Sequence, residues 1–106
     1  MESKYAVTYN NEVIKVELAG RLDATNAEAL QTELKKFTGQ KVVKLVFMAK
    51  DLEYISSAGL RVIIFAKQKV GVDAHLFLVA APEAILNVIK MSGLDNFMTI
   101  LDTYTE

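Results

Sequence analysis

The segment that most constrains the fold is residues 42–48, where six of seven side chains are apolar and Lys44 is the exception. Such a run is typical of a strand covered on both faces in a partly parallel sheet. Residues 49–55 are more polar and predict a loop, followed by a helix from about residue 58 to 70. A second apolar strand, residues 74–79, then completes a strand–helix–strand unit, whose crossover is expected to be right-handed.

The N-terminal residues alternate with the period of strands. Apolar side chains recur at every second position over residues 5–9 and again over residues 14–18. Asn10 and Asn11 lie between them, and asparagine tolerates the positive φ of a tight turn. We therefore predict a hairpin that ends at Gly20.

Two further helices follow from the apolar spacing. Residues 24–37 place Ala27, Leu30, Leu34 and Phe37 on one stripe. Thr25 and Glu28 have capping-box spacing, Asp23 is an alternative N-cap, and Gly39 fits a C′ position. Pro82 suits the first position of a third helix that carries Ile85, Leu86 and Ile89 and ends at Gly93, before a last strand at residues 98–101. The predicted fold class is α/β: a mixed β-sheet, made of an N-terminal hairpin plus βαβ units, with helices packed on it.

Composition limits the function. The 106 residues suit one domain, residues 1–106, and contain no cysteine, which excludes disulfides and thiolate sites. The formal net charge of −1 argues against nucleic acid or an anionic membrane as partner. No apolar run is long enough to cross a bilayer, so a cytoplasmic location is expected.

Ser56 and Ser57 stand where the second helix begins. One of them is expected to cap the helix, which leaves the other hydroxyl available. Gly59 indicates a close backbone approach, an unusual bend where the chain enters the helix, or an ordinary loop-to-helix glycine. Leu60, Ile63, Ile64 and Val70 are expected to face the sheet. Val62 and Phe65 lie off that arc, where they meet either a partner or the neighbouring helix.

Three elements together resemble the STAS domain of bacterial anti-sigma factor antagonists. They are residues 20–23 (Gly-Arg-Leu-Asp), residues 51–60 (Asp-Leu-Glu-Tyr-Ile-Ser-Ser-Ala-Gly-Leu) and residues 91–94 (Met-Ser-Gly-Leu). In that family a serine before Ser/Thr-Gly-Leu is phosphorylated by the partner, an anti-sigma factor that is a serine kinase. The resemblance puts this serine at Ser57 and the family's acidic residue at Asp23. Ser56 replaces the usual aspartate and is a competing site, while Ala58 replaces the usual hydroxyl residue.

The resemblance implies a phosphorylation-switched interaction module without a cofactor, reset by a serine phosphatase. Its expected partner-binding residues are Arg21, Asp23, Ser56, Ser57, Gly59, Val62 and Phe65. An alternative is a STAS subunit of a lipid or anion transport assembly, or of a stress-signalling complex, without a phosphorylation cycle. A weaker one is a nucleotide or small-molecule binder between Asp23 and Ser57.

An enzyme has little support in the sequence. There is no glycine-rich phosphate loop and no nucleophile elbow. The single histidine, His75, would need an improbable geometry to form a triad with Ser57. Asp23, Asp51 and Asp73 lack the spacing of a metal site.

Overall fold

The computed structural model describes residues 3–104 and contains five strands and three helices. The strands are β1 (Lys4–Asn10), β2 (Val13–Leu22), β3 (Lys44–Ile55), β4 (His75–Val79) and β5 (Thr99–Leu101). The helices are α1 (Ala27–Lys35), α2 (Ser57–Phe65) and α3 (Glu83–Ser92). A π-helical turn, Ala66–Val70, extends α2, and a 3-10 turn, Leu94–Phe97, follows α3.

The strands form one mixed sheet in the order β1-β2-β3-β4-β5. β1 is antiparallel to β2, and all the other neighbours are parallel. This confirms the predicted fold class. The hairpin turn lies one residue later than expected, because Asn10 pairs with Val13 and the positive φ angles belong to Asn11 (51°) and Glu12 (65°).

The core lies between one face of the sheet and the three helices. Along β2 the buried side chains occupy every second position, so one face of this strand is apolar and the other is exposed. Side chains from that face and from α1, α2 and α3 form a single cluster, which includes Ile14, Val16, Leu30, Leu34, Phe47, Ile63, Ile85 and Ile89. No helix within residues 3–104 has the length and apolarity needed to span a bilayer.

Both strands that lead to the motif residues are longer than predicted. The loop expected at residues 49–55 is wrong, because β3 continues to Ile55; Gly20 likewise does not end β2, which runs to Leu22. The two extensions pair with each other, Gly20 with Leu52 and Leu22 with Ile55, across register shifts. Backbone pairing between the strands therefore outweighs the polar composition of residues 50–54.

Two predicted helix starts are also corrected. α1 begins at Ala27 instead of residue 24, and its N-cap, Asn26, makes no side-chain capping bond, so the Thr25–Glu28 capping box does not form. Pro82 is the N-cap of α3 in an extended conformation (ψ 158°), one position before the predicted one. Gly93 ends α3 with φ 81°, as predicted.

Candidate functional site

The carboxyl-terminal ends of β2 and β3 are joined by a backbone hydrogen bond. The backbone N–H of Ser56 donates to the carbonyl oxygen of Leu22 over 2.9 Å. Asp23 directly follows Leu22, and Ser57 directly follows Ser56. The two motif elements, separated by about thirty residues of sequence, are therefore brought together at the carboxyl ends of neighbouring parallel strands, where open α/β sheets gather functional groups.

The two serines have different roles in the helix start. Ser56 is the N-cap of α2, with extended backbone (φ −94°, ψ 177°), and its Oγ accepts a hydrogen bond from the N–H of Gly59 at 3.3 Å. Ser57 is the first helical residue and is exposed. Within residues 3–104 the Ser57 hydroxyl makes no hydrogen bond. The prediction that one serine caps and the other remains available is confirmed.

Gly59 is required by close packing. A Cβ at this position would lie 2.7 Å from the Leu22 carbonyl oxygen and 2.7 Å from Cγ1 of Ile55. Carbon contacts are ordinarily about 3.5–4.0 Å, so no side chain fits here without displacement. Of the interpretations of Gly59, close backbone approach is confirmed. The glycine lets the first turn of α2 pack directly on the end of β2.

Asp23 is held in place by its own loop. Its Oδ1 accepts hydrogen bonds from the Thr25 hydroxyl at 2.5 Å and from the Thr25 N–H at 3.0 Å, and its Oδ2 lies 3.3 Å from Nε of Arg21. The Thr25 hydroxyl, then the Thr25 N–H and then Arg21 stabilise the ionised carboxylate, which lowers the pKa of Asp23 below its ordinary value. The loop therefore presents a fixed negative charge beside the start of α2.

Arg21 is held from two sides. Besides its ion pair with Asp23, its guanidinium lies 4.1 Å from the centroid of the Tyr54 ring. The Arg21 side chain is 58% exposed and Tyr54 is 43% exposed, so both remain accessible. Tyr54 was not singled out from the sequence, although the pairing of Arg21 with Tyr54 across β2 and β3 places the two together.

The predicted exposed side of α2 needs correction. Val62 is 1% exposed, so its side chain is part of the core and is not available to a partner in this conformation. Phe65 is half-buried, packs against the core and has Nζ of Lys35 on α1 at 5.9 Å from its ring centroid. The neighbouring helix thus accounts for part of this apolar surface. Of the residues predicted to face the sheet, Ile63 and Val70 are buried, whereas Leu60 and Ile64 are only half-buried.

The outer face of α2 carries a residue that the sequence reading passed over. Arg61 is exposed and lies four residues after Ser57. It lines a groove of about 250 Å³ between α1 and α2, together with Ala24, Ala27, Glu28, Gln31, Ala58 and Val62. The i, i+4 spacing from Ser57 is the signal that identifies it.

His75 lies away from this site. It begins β4 and pairs with Lys44, the first residue of β3, whereas Ser57 follows the last residue of β3. The length of a strand separates the imidazole from the Ser57 hydroxyl, so these two groups do not form a triad. Residues 3–104 contain no cluster of three or more His, Cys, Asp or Glu side chains suited to a metal ion.

Comparisons with known proteins agree with this fold. The chain is 36% identical over 77 residues to BtrV of Bordetella bronchiseptica, named as a candidate anti-sigma factor antagonist; the match covers 72% of this chain and 66% of BtrV. An anti-sigma factor antagonist structure from Mycobacterium paratuberculosis superposes with a TM-score of 0.81 at 24% identity, covering 96% of this chain and 87% of that one.

The Bacillus protein SpoIIAA has been solved in two states, and both resemble this chain. The unphosphorylated form has 15% identity and covers 96% of this chain and 90% of its own; the phosphorylated form has 19% and covers 97% and 93%. Each superposes with a TM-score of 0.74. The family model described as the STAS domain matches residues 4–106. The chain therefore belongs to the STAS-domain family.

Proposed function

We propose that this chain is an anti-sigma factor antagonist switched by phosphorylation of Ser57. Unmodified, it binds an anti-sigma factor that is also a serine kinase, and so frees a sigma factor. Phosphorylated, it releases that partner, and a serine phosphatase resets it. It acts by binding and not by catalysis. It acts in the cytoplasm, because its proposed partner controls a sigma factor.

The observation that carries the proposal is that the two adjacent serines have different structural roles. Ser56 caps α2, and the Ser57 hydroxyl is exposed and has no bonding role in the described part of the fold. A group attached to Ser57 Oγ therefore removes no native hydrogen bond. The name of BtrV, a sequence relative of this chain, and the two solved states of SpoIIAA, which has the same fold, support the same assignment.

The proposed modification is a simple phosphoryl transfer. Ser57 Oγ attacks the γ-phosphorus of ATP, a new O–P bond forms, the bond to the bridging oxygen breaks, and ADP leaves. The hydroxyl proton passes to a base of the kinase. The phosphoserine carries about −1.5 to −2 charges at pH 7, on a chain whose formal net charge is −1.

Electrostatics explains why the partner would be released. Asp23 already fixes one negative charge on the neighbouring loop, and its low pKa keeps it ionised. A phosphate on Ser57 adds a second negative group to the same surface, which disfavours any partner that presents carboxylates there. A coupling of about 2–3 kcal/mol, roughly a 30-fold to 150-fold change in affinity, is enough for a switch.

The first experiment tests the modification itself. The anti-sigma factor is obtained by co-purification with this chain, then used in pure form with ATP, and the product is mapped by mass spectrometry. We expect one phosphate, on Ser57. Ser57→Ala should abolish labelling, while Ser56→Ala should leave it intact; phosphate on Ser56 alone would assign the switch to the competing serine.

A second experiment tests the consequence for binding. Affinity for the same anti-sigma factor is measured for the unmodified chain, Ser57→Asp and Ser57→Ala. We expect Ser57→Asp to bind at least tenfold more weakly, and Ser57→Ala to bind like the unmodified chain. The switch would be overturned if Ser57→Asp and the phosphorylated protein both bound the anti-sigma factor as tightly as the unmodified chain does.

A second candidate function rests on the residues around Ser57. Ser56 stands where the resemblance implies an aspartate, and Ala58 where it implies a hydroxyl residue, so the surroundings of the phosphorylation site differ from the family pattern. A STAS subunit of a transport or stress-signalling complex without a phosphorylation cycle fits this departure. It predicts that the chain binds its partner and takes up no phosphate.

A further inference from the structure

Ser57 and Arg61 form a matched pair on the outer face of α2. Residues four apart in an α-helix are neighbours, with their Cβ atoms about 5–6 Å apart. Both side chains are exposed, so both are free to turn toward each other. Arg61 is the only charged residue of α2, and no acidic side chain in the helix competes for it.

Arg61 forms no ion pair with another residue of the described range 3–104. The other arginine of the site, Arg21, is by contrast already engaged by Asp23 and Tyr54. The nearest acidic neighbour that the groove offers to Arg61 is Glu28 of α1, an exposed residue that lines the same groove. Among the residues that the structure describes, Arg61 is thus an exposed guanidinium without an ionic partner, one helical turn from the proposed modification site.

We propose that Arg61 binds the phosphate of phosphorylated Ser57 within the same chain. An arginine suits this role because its planar fork of N–H donors matches two phosphate oxygens. This inference rests on the proposed function, since it assigns the residue that recognises the modification. Phosphorylation then changes the outer face of α2 twice: it adds negative charge, and it engages the Arg61 guanidinium, which in the unmodified chain could meet a carboxylate of the partner.

The test measures the phosphate directly. Phosphoserine is installed at position 57 by amber-codon expression, which needs no kinase, and the second ionisation of the phosphate is followed by ³¹P NMR titration. The ordinary second pKa is about 6. A nearby guanidinium favours the dianion, so we expect Arg61→Gln to raise this pKa by about 0.3 unit or more, a twofold change in the ionisation constant.

Matched variants exclude a general charge effect. Lys69→Gln removes the same charge from an exposed position that lies about 18 Å from Ser57 along the helical segment. This distance exceeds the Debye length of about 10 Å at 0.1 M salt, so the variant should leave the phosphate pKa unchanged. Arg61→Lys should give a phosphate pKa between those of the unmodified and Arg61→Gln backgrounds. Glu28→Gln should lower the phosphate pKa below its value in the unmodified background, because it removes a carboxylate that competes for Arg61. Circular dichroism confirms that each variant is folded.

The outcomes separate this inference from the proposed function. Equal phosphate pKa values in the Arg61→Gln and unmodified backgrounds would overturn the pairing, even if phosphorylation still released the partner. Failure of any kinase to modify Ser57 would overturn the proposed function, whereas the pairing would still be measured on the installed phosphoserine.

Discussion

Substituting Gly59 by alanine should destabilise the protein and disrupt the site together. The added Cβ would sit 2.7 Å from the Leu22 carbonyl oxygen, 2.7 Å from Ile55 Cγ1 and 3.0 Å from Leu22 Cγ. Relief requires movements of nearly 1 Å, since ordinary contacts are about 3.5–4.0 Å. The Ile55 side chain can shift, but the Leu22 carbonyl also accepts the 2.9 Å bond from Ser56 and is part of the sheet.

The net magnitude comes from two opposing effects. Overpacking at a rigid site costs about 1–3 kcal/mol, and alanine in place of glycine in a helix returns up to about 1 kcal/mol. We expect Gly59→Ala to lower the free energy of unfolding by about 1–2 kcal/mol, which lowers Tm by at least about 4 °C in a domain of this size. The larger substitution Gly59→Val should cost more, because its branches meet the same carbonyl.

Urea unfolding followed by circular dichroism measures the free energy of unfolding, with Ser57→Ala as the control because Ser57 is exposed and its hydroxyl makes no hydrogen bond within residues 3–104. A Gly59→Ala protein as stable as the unmodified chain would refute the argument, since it would mean that β2 and α2 separate freely. Partner binding by any folded Gly59→Ala protein should also weaken, because the displaced carbonyl lies between Asp23 and Ser56.

Three further predictions concern single residues. Ser56→Ala should lower the free energy of unfolding by about 1 kcal/mol through loss of the N-cap, whereas Ser57→Ala should change it by less than about 0.5 kcal/mol; equal effects in urea unfolding would contradict the assigned roles. Thr25→Val removes the hydroxyl bond that most lowers the pKa of Asp23 and should raise that pKa toward 3.8 in an NMR titration. Because the pKa of Asp23 is depressed in the folded state, Asp23 stabilises the fold above its unfolded pKa, and this contribution is lost as pH falls through its folded pKa. The free energies of unfolding of Thr25→Val and of the unmodified chain should therefore differ least at acid pH. Ala80 adopts a positive φ of 58° after β4, so Ala80→Gly should raise the free energy of unfolding by up to about 1 kcal/mol. A thermal scan should show this as a higher Tm, and an unchanged or lower Tm would mean that the backbone strain at Ala80 is small.

The periodic parts of the fold could be predicted from the sequence. The alternation in β1 and β2, the apolar run of β3 and the Gly93 stop after α3 each reflect a local rule of burial or backbone conformation. The extension of β3 to Ile55 does not, because residues 50–54 are polar where they face solvent and are held in the sheet by pairing with β2. A pairing partner thirty residues away leaves no mark on the local composition.

The structure of the candidate site could be predicted in part. The capping rule correctly left one serine available, whereas the assignment of Ser57 and Asp23 to the site follows from the family resemblance and stays a prediction. The buried arc of α2 was correct at Ile63 and Val70 but rotated at its other members, because periodicity gives the spacing of a stripe and not its rotation. Packing of α1 and the close approach at Gly59 set that rotation, and they turn Val62 inward and leave Leu60 and Ile64 half-exposed.

The separation of capping from exposure in adjacent serines bears on how such a protein can change over generations. Ser56 caps the helix start, and the hydroxyl of the next residue makes no hydrogen bond within residues 3–104. Under the proposed function, substitutions at position 57 would change the regulatory modification while leaving the helix cap in place. Selection on signalling and selection on stability would then act on different, neighbouring codons.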